Sequence, residues 1–218
     1  MQRPLTVTAA TLAAAIALTA CSADSTDAEP ADPGAVSKSI LEAGQANPMI
    51  AQGVVIRTDA AIYKTSGIGP AATNKAAKEG TPESFIDTAQ FANGVLPAGV
   101  TITEAQGLAV LTRIKENLEA QGLSPENVTT MRVFLDNAPG SDRADYAGWN
   151  RAYRQFFANT NLETGDTELV PLGTAAPAAP LLRNPARPTR FALEVAGLPV
   201  AGWLVEVEVE VDAVYPAE

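Results

Sequence analysis

The sequence predicts an α+β domain, a mixed β-sheet with two helices packed on one face. Three observations lead there. Val205, Val207, Val209 and Val211 alternate with Glu206, Glu208 and Glu210, the period of a strand with one buried and one polar face. Leu108, Leu111, Ile114 and Leu118 recur at helical spacing. Tyr146, Trp149, Tyr153 and Phe156/Phe157 form a second stripe of the same period, read as core packing against a sheet.

Taken in order, Gln52 to Arg57 and Ala60 to Ser66 read as two strands of a hairpin turned by Thr58-Asp59. A long Gly, Pro and Ala-rich connection follows from Gly67 to Ile102. Thr103 with Gln106 three residues on forms a capping-box pattern, and Gly122 is placed to end that helix in the left-handed region. Its outer face carries Arg113, Lys115, Glu116 and Glu119, which read as solvated. Ser124-Pro125-Glu126-Asn127 is a turn, and Val128 to Leu135 a strand with Met131, Val133 and Leu135 on one side. The second helix spans about Asp142 to Ala158. Asn159 to Pro188 is another long connection, and the strands Arg190 to Ala196 and Trp203 to Val214 close the domain.

Ahead of this domain, Arg3 and the apolar run Leu5 to Ala17 have the form of an export signal over residues 1–20. The run is shorter than the roughly 20 apolar residues that span a bilayer. Leu18-Thr19-Ala20-Cys21 resembles the bacterial lipobox, which implies cleavage before Cys21 and a diacylglycerol on its thiol. An ordinary secretory signal is the alternative. Residues 21–45, rich in Asp, Ala, Ser, Pro and Gly, read as a flexible tether, leaving 46–218 as one domain. The expected location is the cell envelope, lipid-anchored on its periplasmic or extracellular face.

Charge and composition exclude several chemistries. The chain has 15 basic and 25 acidic side chains, a net charge of −10, and residues 1–20 contribute only Arg3. No Lys/Arg cluster is present to neutralise phosphates, so nucleic acid is not an expected partner. There is no histidine and a single cysteine, Cys21. Histidine triads, His-based zinc sites and thiolate metal sites are therefore not expected. Chemistry has to rest on Arg, Glu, Asp, Ser, Tyr, Asn, backbone groups and water.

The located segments resemble, in order, those of the Rid (reactive intermediate deaminase, YjgF-like) family. Ile50 to Val54 (IAQGV) and Ile62 to Gly67 (IYKTSG) are similar to its first hairpin. Val110 to Leu135 is similar to its first helix, Gly-Leu turn and following strand. Tyr146 to Phe157 (YAGWNRAYRQFF) carries the Asn-x-x-Tyr-x-x-Phe-Phe pattern of its second helix. Pro188 to Pro199 (PTRFALEVAGLP) and Gly202 to Val211 (GWLVEVEVEV) resemble its closing hairpin.

The resemblance implies a chorismate-mutase-like fold, assembled as a homotrimer with clefts between subunits. It also implies hydrolysis of small enamine or imine intermediates to a keto acid and ammonia, without cofactor or metal. The alternative is a non-catalytic trimer that binds a small carboxylate or a protein partner. The family's carboxylate-holding arginine falls on Arg190 in an ungapped alignment, while the Pro-Ala-Arg string ends at Arg187 and would need two inserted residues. Guanidinium offers carboxylate a two-pronged match that lysine cannot copy. The resemblance assigns Glu206 to orienting or activating the attacking water, Asn150 to the cleft, and Ser66 and Gly67 to a ligand-facing hydroxyl and backbone. As plain sequence, Glu206 is equally one of three solvated glutamates, Asn150 a brace for the loop after its helix, and Ser66 the partner of its own turn.

Three departures stand out. Asn47-Pro48-Met49 replaces a frequent Gly-Pro-Tyr, Ala192 stands where some relatives have cysteine, and the connections 67–102 and 159–188 are longer than in compact relatives.

Overall fold

The last strand is the middle of the sheet. In a computed structural model that describes residues 37–57 and 60–213, β6 (Val205–Ala213) pairs antiparallel with β3 (Ala61–Lys64) on one side. On its other side it pairs antiparallel with β4 (Val128–Leu135), and β5 (Thr189–Glu194) lies parallel beyond β4. The valines at 205, 207, 209 and 211 are fully buried, with Met131, Val133 and Leu135 beside them. This is the face that the sequence alternation marks as core.

Two connections place the helices. β3 and β4 run the same way, joined through α1 (Ile102–Glu119). β4 and β5 also run the same way, joined through α2 (Tyr146–Arg154). Both crossovers step across the sheet in one direction, so two right-handed crossovers put both helices on one face. Leu108, Leu111, Ile114 and Leu118 of α1 and Trp149 and Tyr153 of α2 are buried there. The mixed α+β architecture with two helices and a mixed sheet is as the sequence predicts.

Strand partners differ from expectation at both hairpins. β2 (Gly53–Val55) does not pair with β3. It pairs with β1 (Lys38–Ile40) in a separate two-stranded ribbon, and β3 takes the free edge of β6. The turn residues 58–59 lie outside the described residues. The closing pair is likewise split, because β4 sits between β5 and β6. Alternation marks a strand but says nothing of which edge it will find; that depends on contacts far apart in sequence. The ribbon also places a strand at Lys38–Ile40, inside the 21–45 stretch read as tether. Ser39 Oγ donates to the Arg187 carbonyl at 3.0 Å. The export signal and Cys21 lie outside the described residues, and among these no helix is long and apolar enough to cross a membrane.

Helix starts shift for local reasons. Thr101, not Thr103, caps α1 by accepting from the Glu104 N–H at 3.1 Å. Gln106 cannot reach back to the cap because its side chain is buried. Its Nε2 donates to the carbonyls of Pro82 and Gly202, and its Oε1 accepts from the Leu204 N–H. Asp145 caps α2 through the Gly148 N–H at 2.8 Å. Asp145 also accepts from the Thr101 hydroxyl at 2.6 Å, which ties the two helix starts together.

The first long connection is held by apolar burial and the second by buried polar groups. Phe85, Ile86 and Phe91 of the first are buried. In the second, the Glu104 carboxylate accepts the Gly173 N–H and two bonds from Arg151, while Asn159 Nδ2 donates to the carbonyls of Arg154 and Leu182. Buried Asn and Glu are tolerated because these partners satisfy them.

Candidate functional site

β5 is the edge strand over α2, and its register decides where Arg190 points. Arg190 stands opposite Met131, so its side chain leaves the helix-covered face of the sheet. There it meets two residues one helical turn apart on α2, Asn150 and Tyr153. Arg190 Nη2 donates to Asn150 Oδ1 at 2.8 Å, and the guanidinium carbon lies 4.2 Å above the centre of the Tyr153 ring. Tyr153 is fully buried and donates its hydroxyl to the Met49 carbonyl at 2.8 Å. That bond holds the ring, and the ring is the platform for the cation.

The guanidinium is short of partners. Its Nη1 is buried with no hydrogen-bond acceptor, and no carboxylate among the described residues pairs with it. Burial lowers the Arg190 pKa from its ordinary value, with Tyr153 opposing in the other direction. Burial likewise pushes the Tyr153 hydroxyl upward. A cation this desolvated without an anion is an open demand for one.

Arg187 has no such demand. It is buried, and Nε donates to the Pro48 carbonyl at 3.2 Å, Nη1 to Pro185 at 2.5 Å and Nη2 to Thr160 at 2.7 Å. Burial lowers its pKa too. Its role in the fold is to stitch three segments together. Of the two arginines, only Arg190 has a buried guanidinium nitrogen, Nη1, without an acceptor.

Glu206 lies elsewhere. Its register partner is Phe134, on the face opposite the helices. It is half-buried and has no hydrogen-bond partner among the described residues. Its carboxylate rests against Gly67 so closely that Oε1 occupies the place a Cβ at 67 would take. Ser66 is exposed beside it. Glu208 and Glu210 on the same face are engaged by cations: Arg132 binds both, at 2.6 and 2.8 Å, and Lys64 reaches Glu208 at 2.8 Å.

The expected residues therefore form two groups. Arg190 and Asn150 meet on the helix face, and Gly67, Ser66 and Glu206 meet on the other. Strand spacings put the Arg190 and Glu206 backbones roughly 14 Å apart, three residues along and two strands across. Neither of two surface hollows, of about 460 and 260 Å³, includes Arg190 or Glu206. Tyr153 was read from the sequence as core only. Its spacing of three from Asn150 was the signal that both serve one side chain.

A family model described as Endoribonuclease L-PSP matches residues 91–214, which include both helices, Asn150, Arg190 and Glu206. The chain belongs to this family, the YjgF/Rid family. Solved structures similar to it include E. coli TdcF with bound serine, at 22% identity over 81% of this chain and 99% of that one, TM-score 0.40. Others are Rv2704 of Mycobacterium tuberculosis, a YjgF/YER057c/UK114 family member, at 14% identity over 81% and 99%, TM-score 0.38. A putative endoribonuclease L-PSP from Entamoeba histolytica has 23% identity over 82% and 98%, TM-score 0.38. No curated protein matches the chain. Membership supports a Rid-type function in general terms.

Proposed function

We propose that the protein hydrolyses small carboxylate-bearing enamines or imines to a keto acid and ammonia. The observation that carries this is the half-buried Arg190 guanidinium, set on Tyr153 and braced by Asn150, with Nη1 unpaired. A substrate carboxylate would supply the missing acceptor in a two-pronged contact. An enamine first takes a proton on carbon to become the imine. Water oxygen then adds to the C=N carbon, the nitrogen leaves as ammonia, and the C=O of the keto acid forms.

Glu206 is the base that would orient that water, but within one chain it faces away from Arg190. The reading therefore requires the homotrimer, with the Gly67–Glu206 group of one copy facing the Arg190–Asn150 group of the next. No metal or organic cofactor takes part in this scheme. We further propose export and lipid attachment at Cys21, which would place the reaction at the cell envelope. Replacement of Cys21 by alanine should release the protein from membranes.

The deciding assay is ammonia release from freshly generated 2-aminoacrylate. Arg190→Ala should lower kcat/KM by roughly ten- to a hundredfold, the worth of a charged hydrogen-bonded contact. Glu206→Gln should lower kcat by roughly a hundredfold or more. Equal rates for wild type and both variants would end the enzymatic reading. The separation of Arg190 and Glu206 in one chain favours a second reading, a trimer that binds a small carboxylate without turnover. In that case Arg190→Ala abolishes keto-acid binding and Glu206→Gln is silent. A nuclease role, which the family's description names, is opposed by the net charge of −10.

A further inference from the structure

We propose that the hollow roofed by the β1–β2 ribbon binds a small alkylammonium ion, with Asp212 as its anionic anchor. The hollow is about 460 Å³, within the range of small-ligand sites. Val54 of β2 and Ser39 of β1 lie in its roof, and Val128, Thr129 and Asp212 line it from the sheet. None of Arg190, Asn150, Gly67 or Glu206 lines it, so it is independent of the proposed hydrolytic site.

Its polar groups ask for a donor. Asp212 is 3% exposed, and its Oδ2 accepts from the Ser37 N–H at 3.2 Å and the Ser37 hydroxyl at 2.6 Å. Its Oδ1 is buried and has no partner. Leaving a carboxylate oxygen without a donor costs free energy that a guest N–H would recover. Arg187 is the only basic side chain among the described lining residues, and its three nitrogens already donate to backbone carbonyls. The other charged lining group, Glu126, is a second carboxylate and is exposed.

The backbone is opened at this point as well. The β4–β6 register breaks between Val128 and Thr130, and the Thr129 hydroxyl donates to the Glu210 carbonyl at 3.2 Å. Such breaks re-aim side chains and end pairing. The charge and the apolar walls together select the guest. A carboxylate would meet Asp212 and Glu126, and among the described lining residues the one cation, Arg187, has each nitrogen bonded to a carbonyl. A bare divalent metal needs about six oxygen ligands, and no three of His, Cys, Asp and Glu cluster to hold one among the described residues. An ammonium on a short alkyl chain satisfies both the orphan oxygen and the apolar surface of Leu41, Val54, Val128 and Leu162.

The test is calorimetric titration of the full chain with n-butylammonium chloride and with sodium n-butyrate, alongside methyl NMR. Butylammonium should bind saturably and shift the methyl signals of Leu41, Val54, Val128 and Leu162, while butyrate should leave them in place. Asp212→Asn should weaken butylammonium by roughly ten- to a hundredfold, and Arg190→Ala should not change it. Because Asp212→Asn also loosens Ser37, Val54→Trp serves as a second variant that fills the hollow and spares the carboxylate. Absence of saturable binding, methyl shifts elsewhere, or undiminished binding by folded Val54→Trp would each overturn the proposal.

Discussion

Arg187 and Arg190 are three residues apart and chemically identical, yet their surroundings give them opposite work. The first spends its donors on the carbonyls of Pro48, Thr160 and Pro185. Lysine has no planar fork for three acceptors, so Arg187→Lys should lower stability by about 3 kcal/mol in urea unfolding, the cost of breaking a buried charged network. Arg190 is half-buried with only Asn150 to bond. Arg190→Met should leave urea stability equal to wild type or higher, since an unpaired buried cation is a net cost. A loss above about 2 kcal/mol would make the guanidinium a structural brace and undercut its assignment to a ligand. Gly67 is the third such residue. The atom in its way is the far end of a flexible glutamate, so Gly67→Ala should keep the fold and displace the Glu206 carboxylate. A crystal structure of that variant checks it.

At the scale of elements, the two threonines at the start of α1 separate what pattern reveals from what packing decides. The spacing of Thr103 and Gln106 marks Thr103 as the cap in sequence. Thr101 accepts from the Glu104 N–H, whereas Thr103 is inside the helix with its hydroxyl buried and unpartnered. Thr101→Ala should cost about 1 kcal/mol of stability, and Thr103→Val should be neutral or stabilising. Thermal unfolding of the pair distinguishes them. The strands show the same division. β4 was legible to the residue because alternating burial on a central strand leaves a period of two. The partners of β2 and β5 were not, since edge choice is made by the ribbon at Lys38–Ile40 and by the α2 crossover.

For the whole molecule, Lys64, Arg132, Glu208 and Glu210 form one ion-pair network on the sheet face opposite the helices, with Glu206 outside it. The hydrogen bond from Lys64 is the leading reason that the Glu208 pKa falls below its ordinary 4.5. A carboxyl depressed on folding contributes stability above its unfolded pKa and loses it as pH drops through the folded value. The melting temperature should therefore fall as pH goes below about 4.5, and Glu208→Gln should remove part of that slope. The contribution is of order 0.5 kcal/mol, because the network is open to water and salt. Lys64 is raised by the same bond, so its share is full below 10.5 and fades in strong alkali.

The amino-acid order by itself determined the layer architecture, the two helices, the buried valine face of β6 and membership of the segments in a recognisable series. Those features are written in local periodicity and short motifs, which survive without knowledge of distant contacts. Only the tertiary structure decided that Arg190 rather than Arg187 keeps a nitrogen without an acceptor, that Tyr153 is its platform, and that Glu206 faces the other way. Each of those depends on which strands become neighbours and which carbonyls lie within reach, and long-range packing alone sets both.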